Sequence, residues 1–181
     1  MGLILVRHTR PDVAEGLCYG RLDVGVLNTF ADEAANVLQA LPELRRVVSS
    51  PLSRCRKLAR YIAAALEVPL EFDERLTEMD FGAWEGRAWS ALPASELDVW
   101  SNDFMHARPH GGESVAMLQG RVREALTHLS ARREPIAVVT HSGVIRAAFS
   151  GKGTTARDFG VSVDFGGIMA LPDANDPPPG D

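Results

Sequence analysis

An apolar run of strand length that ends directly in charged residues is the feature that most constrains the fold. Residues 2–6 (GLILV) are continuously apolar, as in a strand covered on both faces, and Arg7 and His8 follow at once. The runs RRVVSS (45–50) and PIAVVT (135–140) repeat this arrangement, each ending where polar residues begin. Strands of this kind, separated by helices, predict an α/β fold with a mainly parallel sheet.

Helical patterns lie between the apolar runs. Apolar residues recur at helical spacing over 30–41, 50–66 and 115–129. The second of these helices is expected to have Ser50 as its N-cap and Pro51 at its first helical position. The alternation of strand and helix again favours a parallel sheet.

The length of the chain indicates one domain. It has 181 residues, 45% of them hydrophobic, which is enough for a single core. We expect this domain over 1–171, with a lid-like excursion at about 77–112 that holds all three tryptophans and one helix near 95–105. The segment 159–171 is expected to form two final strands. The tail 172–181 is rich in proline and polar residues and is predicted to be disordered.

Composition argues against several classes of protein. A formal net charge of −5 and a pI near 5.5, with no free run of basic residues, argue against nucleic-acid binding. No stretch is apolar for the length of a membrane span and no leader is recognisable, so we expect a cytoplasmic protein that binds no membrane. Cys18 and Cys55 lack ligand spacing and are predicted to be free thiols. The oligomeric state is left open.

Polar side chains cluster where the predicted strands end. Ligands of an open α/β sheet lie at the carboxyl ends of its strands. There His8 and His141 would meet Arg7 and Arg54, and Arg54 lies at a helix start, where free N–H groups favour an anion. Arginine gives planar, charge-assisted hydrogen bonds, so the set predicts a site for a tetrahedral dianion. Each pair alone is equally typical of a structural histidine or a solvated arginine.

A metal site is disfavoured by the spacing of the histidines. Neither HxH nor HExxH occurs, and the arginines would repel a divalent ion. We therefore expect no metal and no other cofactor.

Four motifs resemble the histidine phosphatase superfamily, whose fold is phosphoglycerate-mutase-like, over nearly the whole chain. In order they are RH after the first strand, SSPLSR at a helix start, LTEMDFGAWEG in mid-chain and THSG after a late strand. The resemblance implies a three-layer α/β/α sandwich. Within the superfamily, TEMDFGAWEG followed by VWSNDFMHARPHGGES is most similar to the alpha-ribazole phosphatase branch of the cobalamin pathway.

The resemblance implies a role for each motif. His8 would be the nucleophile that forms a phosphohistidine, which water later hydrolyses. Glu78 would be the general acid that protonates the leaving alcohol and then the base that activates water. The residues implied to hold the phosphate group, where charge builds in the transition state, are Arg7, Arg54, His141 and Ser142.

Two departures from the superfamily pattern occur in the first loop. The residue after RH is Thr9 where glycine is usual, and the loop TRPDVAEG offers no asparagine to contact phosphate. A substitute donor is expected from Arg10 or from the turn Tyr19-Gly20-Arg21, and Arg21 is the favoured candidate. The other motifs are intact, so we expect an active enzyme.

The predicted function is a metal-independent phosphomonoesterase for a small-molecule ester, with alpha-ribazole 5′-phosphate as the favoured substrate. The alternatives within the superfamily are a broad-specificity phosphatase and a phosphoglycerate mutase. The alternative outside it is a non-catalytic phosphate-binding module. Four aromatic residues either stack on a benzimidazole-like base or belong to the core; they are Trp84, Trp89, Trp100 and Phe104.

Overall fold

A five-stranded sheet forms the centre of the computed structural model, which describes residues 2–171. The strands are β1 (Leu3–Arg7), β2 (Arg46–Ser49), β3 (Leu70–Phe72), β4 (Ile136–Thr140) and β5 (Ile168–Ala170). Their order across the sheet is β3-β2-β4-β1-β5, and all neighbours are parallel except β5, which is antiparallel to β1. The prediction of a mainly parallel sheet is confirmed.

Helices cover both faces of the sheet. They are α1 (Phe30–Ala40), α2 (Ser53–Leu66), α3 (Ala94–Asn102), α4 (Val115–Ser130) and α5 (Ser142–Phe149). One core lies between the sheet and α1 and α2, and another lies between the sheet and α4 and α5. Along β1, Val6 faces the first core and Leu5 the second, because successive side chains of a strand point to opposite faces. The predicted three-layer sandwich is confirmed.

The expected start of α2 at Ser50 and Pro51 is wrong, because the helix begins at Ser53. Ser50 is fully buried, and its Oγ lies 2.8 Å from Nε2 of His141 instead of capping a helix. The first loop supplies the cap. The carboxylate of Asp23 accepts from the backbone N–H of Ser53 at 2.7 Å and from its hydroxyl at 2.8 Å.

The expectation of two final strands over 159–171 is also partly wrong. Only β5 forms, and 159–163 contains no strand. Side chains take the place of a neighbouring strand there, since Arg7 Nη1 donates to the carbonyl of Val163 at 2.7 Å and Arg146 Nε donates to that of Val161 at 3.1 Å. The segment 159–163 is therefore irregular chain at the sheet edge, held by hydrogen bonds from Arg7 and Arg146.

The excursion of about 77–112 carries α3, as expected, and two 3₁₀ turns. Trp84 is fully buried there, and its indole Nε1 donates to a carboxylate oxygen of Glu96 at 2.6 Å. Its ring contacts Trp89 and Trp100 edge-on, with centroids 6.0 and 5.7 Å away. These contacts give the excursion a small core of its own. That it acts as a lid stays a prediction.

No helix among the described residues is long and apolar enough to cross a membrane. Cys18 and Cys55 are both buried free thiols. The tail predicted to be disordered, 172–181, lies outside the described residues.

Candidate active site

The ends of three strands bring the motif residues together. His8 directly follows β1 and His141 directly follows β4, and these two strands are parallel neighbours. The centroids of the two imidazole rings are 5.2 Å apart. Ser50 follows β2, the other neighbour of β4, and contacts His141. The carboxyl edge of the sheet thus assembles one buried polar site from three separate segments.

His8 is buried, and its Nδ1 lies 2.7 Å from the carbonyl oxygen of Thr9. A carbonyl can only accept, so Nδ1 carries the proton and Nε2 carries the lone pair. Burial and then the guanidinium of Arg54 lower the pKa of His8 to about 3, although the bond to Thr9 opposes the shift. The imidazole is therefore neutral at neutral pH, with Nε2 as its nucleophilic atom.

Arg54 is fully buried in the first turn of α2. Its terminal nitrogens donate to the first loop, Nη1 to the carbonyl of Leu22 at 2.8 Å and Nη2 to that of Gly20 at 2.7 Å. Its Nε has no hydrogen-bond partner among the described residues. A buried charged donor without a partner is costly, so this N–H is a candidate donor to an acceptor outside the chain.

Arg7 presents a second donor of the same kind. Its guanidinium carbon lies 3.8 Å from the centroid of the Phe165 ring, and burial lowers its pKa. Its Nε, like the hydroxyl of Thr9, is buried and lacks a partner in the described part of the chain. Arg7, Thr9 and Arg54 thus each hold one buried polar atom without a partner among the described residues. Such a set of donors is suited to an oxyanion.

His141 is fully buried, and Sγ of Cys55 lies 3.4 Å from its Nε2. Burial lowers the pKa of His141 well below its usual range, and His8 and Arg54 act in the same direction. His141 is thus a neutral hydrogen-bonding group. Burial also raises the pKa of the Cys55 thiol, so the thiol stays protonated. No three His, Cys, Asp or Glu side chains lie grouped as a metal site in the described residues.

The carboxyl group of Glu78 lies at the start of α5. Its Oε2 accepts from the backbone N–H of Gly143 at 3.1 Å, and its Oε1 accepts from that of Met79 at 3.0 Å. A Cβ atom on residue 143 would collide with Oε1 of Glu78. The glycine of the THSG motif therefore lets this carboxyl group reach the helix start.

A cavity of about 320 Å³ opens beside Glu78 and Ser142, and its lining does not include His8, Arg7, Arg54 or His141. Its polar lining includes Glu78, Ser142, Tyr19 and Gly20. Its apolar wall is largely aromatic and comprises Phe81, Trp89, Trp100, Phe104 and Phe159. Of the aromatic residues considered for substrate stacking, Trp84 is a core residue and does not line this cavity.

The first-loop turn places its two polar side chains differently. The ring of Tyr19 lies 5.1 Å from the guanidinium carbon of Arg54, and burial raises the pKa of its hydroxyl. The side chain of Arg21 instead donates from Nε to the carbonyl of Glu78 at 3.4 Å and lies 3.8 Å from a carboxylate oxygen of Glu113. The role of Arg21 as a phosphate donor stays a prediction.

Arg10, the other candidate donor, pairs with Glu33 at 3.3 Å and has a side chain that is 59% exposed. Glu85 links the first loop to the excursion, because it accepts from the backbone N–H groups of Arg21 at 2.9 Å and Leu22 at 2.8 Å. Both contacts fix the loop that supplies carbonyls to the buried arginine of α2.

Two arginines of the site are absent from the sequence-based candidates. Arg146 lines the cavity and lies one helical turn after Ser142, a spacing that could have identified it. Arg121 contacts the Glu78 segment, which is remote in sequence, and no local pattern marks it.

The sequence profile of the Histidine phosphatase superfamily (branch 1) matches residues 3–159. The chain belongs to this superfamily, and it is a phosphatase. The resemblance seen in the four motifs is therefore confirmed.

Relatives with established names differ in their substrates. The chain is 30% identical over 154 residues to the adenosylcobalamin/alpha-ribazole phosphatase of Escherichia coli K12. The matched segment covers 80% of this chain and 75% of that protein. It is 30% identical over 159 residues to phosphoserine phosphatase 1 of Hydrogenobacter thermophilus, covering 81% and 74%. The crystal structure of phosphoglycerate mutase from Thermus thermophilus has a TM-score of 0.75 at 31% identity, covering 94% and 92%. The comparisons thus establish the family and leave the substrate open.

Proposed function

We propose that the chain hydrolyses phosphate monoesters through a phosphohistidine formed on Nε2 of His8. The observation that carries the proposal is a buried, neutral imidazole whose Nδ1 is tied to a carbonyl and whose neighbours Arg7 and Arg54 each keep an unpartnered N–H among the described residues. This arrangement offers a lone pair for attack and positive charge for the oxygens of the phosphoryl group.

The reaction would have two steps. In the first, Nε2 of His8 attacks phosphorus, the ester P–O bond breaks, and Glu78 gives its proton to the leaving alkoxide. In the second, water attacks phosphorus, Glu78 takes a proton from that water, and the P–N bond breaks. Inorganic phosphate leaves and neutral His8 is restored. Arg7, Arg54 and His141 would hold the oxygens in both steps.

Trapping the intermediate tests this proposal. The enzyme is mixed with a radiolabelled phosphate ester and quenched in alkali, because phosphohistidine survives alkali and is lost in acid. We expect label on the wild-type protein and none on His8→Ala. Label that persists on His8→Ala would place the covalent step elsewhere.

We further propose alpha-ribazole 5′-phosphate as the preferred substrate, within cobalamin biosynthesis. The aromatic wall of the cavity supports it, since Trp89, Trp100 and Phe104 offer faces and edges for a planar benzimidazole. The name of the Escherichia coli relative supports it as well.

A second candidate is an ester whose alcohol half carries a carboxylate, such as phosphoserine. Arg146 favours this candidate. Only its Nε is bonded, to the carbonyl of Val161, and its terminal nitrogens have no bond to the described residues while the side chain lines the cavity. A free guanidinium there can pair with a carboxylate in bidentate fashion.

A substrate panel with two variants separates these candidates. If alpha-ribazole phosphate is the substrate, its kcat/KM is the highest of the panel, and Trp89→Leu lowers it while sparing phosphoserine. If the substrate carries a carboxylate, Arg146→Met lowers turnover of phosphoserine and spares alpha-ribazole phosphate. Matched controls are Phe72→Leu, an exposed aromatic residue outside the cavity, and Arg123→Met, whose side chain likewise donates to one carbonyl.

A further inference from the structure

The backbone around Glu78 belongs to no regular element. Glu78 lies between the 3₁₀ turn Glu74–Leu76 and the 3₁₀ turn Gly82–Trp84, where neither helix nor strand hydrogen bonds hold the chain. The carboxyl group itself is placed by Gly143. A proton donor needs a fixed position within hydrogen-bond reach of the leaving oxygen, so something else must hold the main chain.

One guanidinium supplies these missing bonds. Arg121, on α4, donates from Nη1 to the carbonyls of Arg75 and Thr77, each at 2.7 Å, and from Nη2 to the carbonyl of Glu78 at 3.0 Å. Its Nε and Nη2 also donate to the two carboxylate oxygens of Glu113 at 2.7 and 2.8 Å. The guanidinium group of Arg121 thus links the irregular stretch 75–78 to α4.

Glu113 strengthens the set of hydrogen bonds that Arg121 makes to the Glu78 segment, which we call the anchor. Its side chain is nearly buried, and its backbone N–H donates to the carbonyl of Asp80 at 2.8 Å. A Cβ on residue 112 would collide with that same carbonyl, so Gly112 permits the close approach. The side chain of Arg21 adds a longer contact to both Glu113 and Glu78. The GGES sequence before α4 therefore holds the Glu78 segment as well as starting a helix.

We propose that Arg121 is a positioning residue for proton transfer by Glu78. The inference rests on the proposed role of Glu78 as general acid. Arg121 fixes the main chain of Glu78 while Gly143 fixes its carboxyl group, so the proton is held at one distance from the leaving oxygen. Arg121 does not line the cavity, and its guanidinium is used by the carbonyls of residues 75, 77 and 78 and by the carboxylate of Glu113.

The dependence of rate on the leaving group tests this role. The ester p-nitrophenyl phosphate needs little protonation of its leaving group, whereas an alkyl phosphate depends on it. We measure kcat/KM for both esters on Arg121→Lys and take the aryl-to-alkyl ratio. The folded fraction cancels in this ratio because both esters are assayed on one preparation. A displacement of about 1 Å can cost about 10²-fold, so we expect the ratio to rise by about tenfold or more.

The matched control is Arg132→Lys. Arg132 also holds a carboxylate by two bonds, to Glu71 at 3.0 and 2.9 Å, but it contacts no residue of the site. Its ratio should equal that of the wild type. If Arg121→Lys does not fold, Glu113→Gln replaces it, because it weakens the same anchor while keeping its shape, and its ratio is judged by the same criterion.

The variant Glu78→Gln separates failure of this inference from failure of the proposed function. A raised ratio in Glu78→Gln with an unchanged ratio in the anchor variants overturns the positioning role of Arg121 and keeps Glu78 as the acid. An unchanged ratio in Glu78→Gln itself overturns the acid role on which the inference depends. A raised ratio in Glu78→Gln and also in the anchor variants supports the positioning role of Arg121.

Discussion

His8 combines burial with a single fixed tautomer. Its Nδ1–H is used by the carbonyl of Thr9, and burial together with the neighbouring arginines holds its pKa at about 3. Nε2 of His8 has no partner among the described residues, and neither does Nε2 of the buried His110, but His8 lies at the carboxyl end of β1 under the charges of Arg54 and Arg7. This difference distinguishes a nucleophile from core filling.

Replacement of His8 by alanine is expected to abolish hydrolysis of every ester, because no other group supplies the attacking lone pair. Thermal unfolding of the variant should still be cooperative. His128→Ala is the matched control, since His128 is exposed on α4, and it should keep full activity. Retention of more than about 1% of wild-type kcat by His8→Ala would contradict the covalent route, since loss of a nucleophile ordinarily costs far more.

Arg54 is expected to contribute to binding as well as to chemistry. Its Nε has no partner among the described residues and would serve phosphate in the ground state and in the transition state, while its terminal nitrogens donate to the carbonyls of Leu22 and Gly20. We therefore expect Arg54→Ala to raise KM and lower kcat together, equally on aryl and alkyl esters. Arg56→Ala, on the same helix with its side chain on Ser53, should change neither constant. A change in kcat alone would remove Arg54 from ground-state binding.

At the scale of elements, the first turn of α5 contains a glycine, Gly143, on which the position of the Glu78 carboxyl group depends. Gly143→Ala should push the carboxyl group of Glu78 away from the helix start, because the added Cβ meets Oε1. We expect a fall of about tenfold or more in kcat on alkyl phosphates, with a smaller fall on aryl phosphates. The fold should persist, since alanine favours a helix.

Gly120→Ala is the control for that substitution. Gly120 lies inside α4, and a Cβ there meets nothing within 4 Å. Alanine at this position should raise the free energy of unfolding by about 0.5–1 kcal/mol and leave activity unchanged. Chemical denaturation of both variants gives the comparison. Equal effects of the two substitutions on alkyl ester turnover would contradict the contact between Gly143 and Glu78.

The strands and helices that bury an uninterrupted apolar face could be predicted from the sequence. The start of α2 could not, because its cap comes from Asp23, which is remote in sequence, while Ser50 is used by His141. The segment 159–163 has the composition of a strand, but its carbonyls pair with Arg7 and Arg146. A prediction from the local sequence pattern is wrong where a side chain that is remote in sequence supplies the hydrogen bonds.

The same distinction holds for the candidate site. His8, Arg54 and His141 could be found because each directly follows an apolar run or opens a helix. Arg146 could have been found from its spacing one helical turn after Ser142, but Arg121 could not, since its contacts depend on how α4 packs against irregular chain. Tertiary packing, which periodicity does not encode, decides these contacts.

At the scale of the whole molecule, the charge that faces the phosphate comes from the protein itself. Arg7 ends β1 and Arg54 lies in the first turn of α2, so under the proposed mechanism the sheet and its helix layer would together neutralise a dianion. We expect hydrolysis to survive exhaustive treatment with EDTA, as measured by kcat/KM before and after chelation. Loss of activity that a divalent ion restores would revive a metallohydrolase mechanism.

Three buried histidines also link the stability of the fold to pH, because burial lowers the pKa of His8, His141 and His110 below its ordinary value. The pKa of His8 is about 3 in the folded protein against an ordinary value of 6.5, and that of His141 is lowered as well. Between these values the unfolded chain binds protons that the folded chain does not. The free energy of unfolding must therefore fall as the pH drops from about 6.5 towards 3.

Carboxylates that pair with arginines affect the free energy of unfolding in a lower pH range. The pKa of Glu71 is lowered from 4.5 chiefly by Arg132, and that of Asp73 is lowered from 3.8 chiefly by Arg75. Their stabilisation is present above these ordinary values and is lost as the pH falls below them. Between about pH 6.5 and 5 the histidines therefore dominate the loss.

We expect the wild-type protein, free of phosphate, to lose about 2 kcal/mol on account of His8 alone between about pH 7 and pH 5. Urea denaturation at both pH values measures this loss. His8→Gln removes the titrating group and should reduce the loss by that amount, whereas His128→Gln, on an exposed position of α4, should leave it unchanged. An equal loss in wild type and His8→Gln would mean that folding does not lower the pKa of His8, so that the imidazole would be largely protonated at pH 5 and would lack there the lone pair that attacks phosphorus.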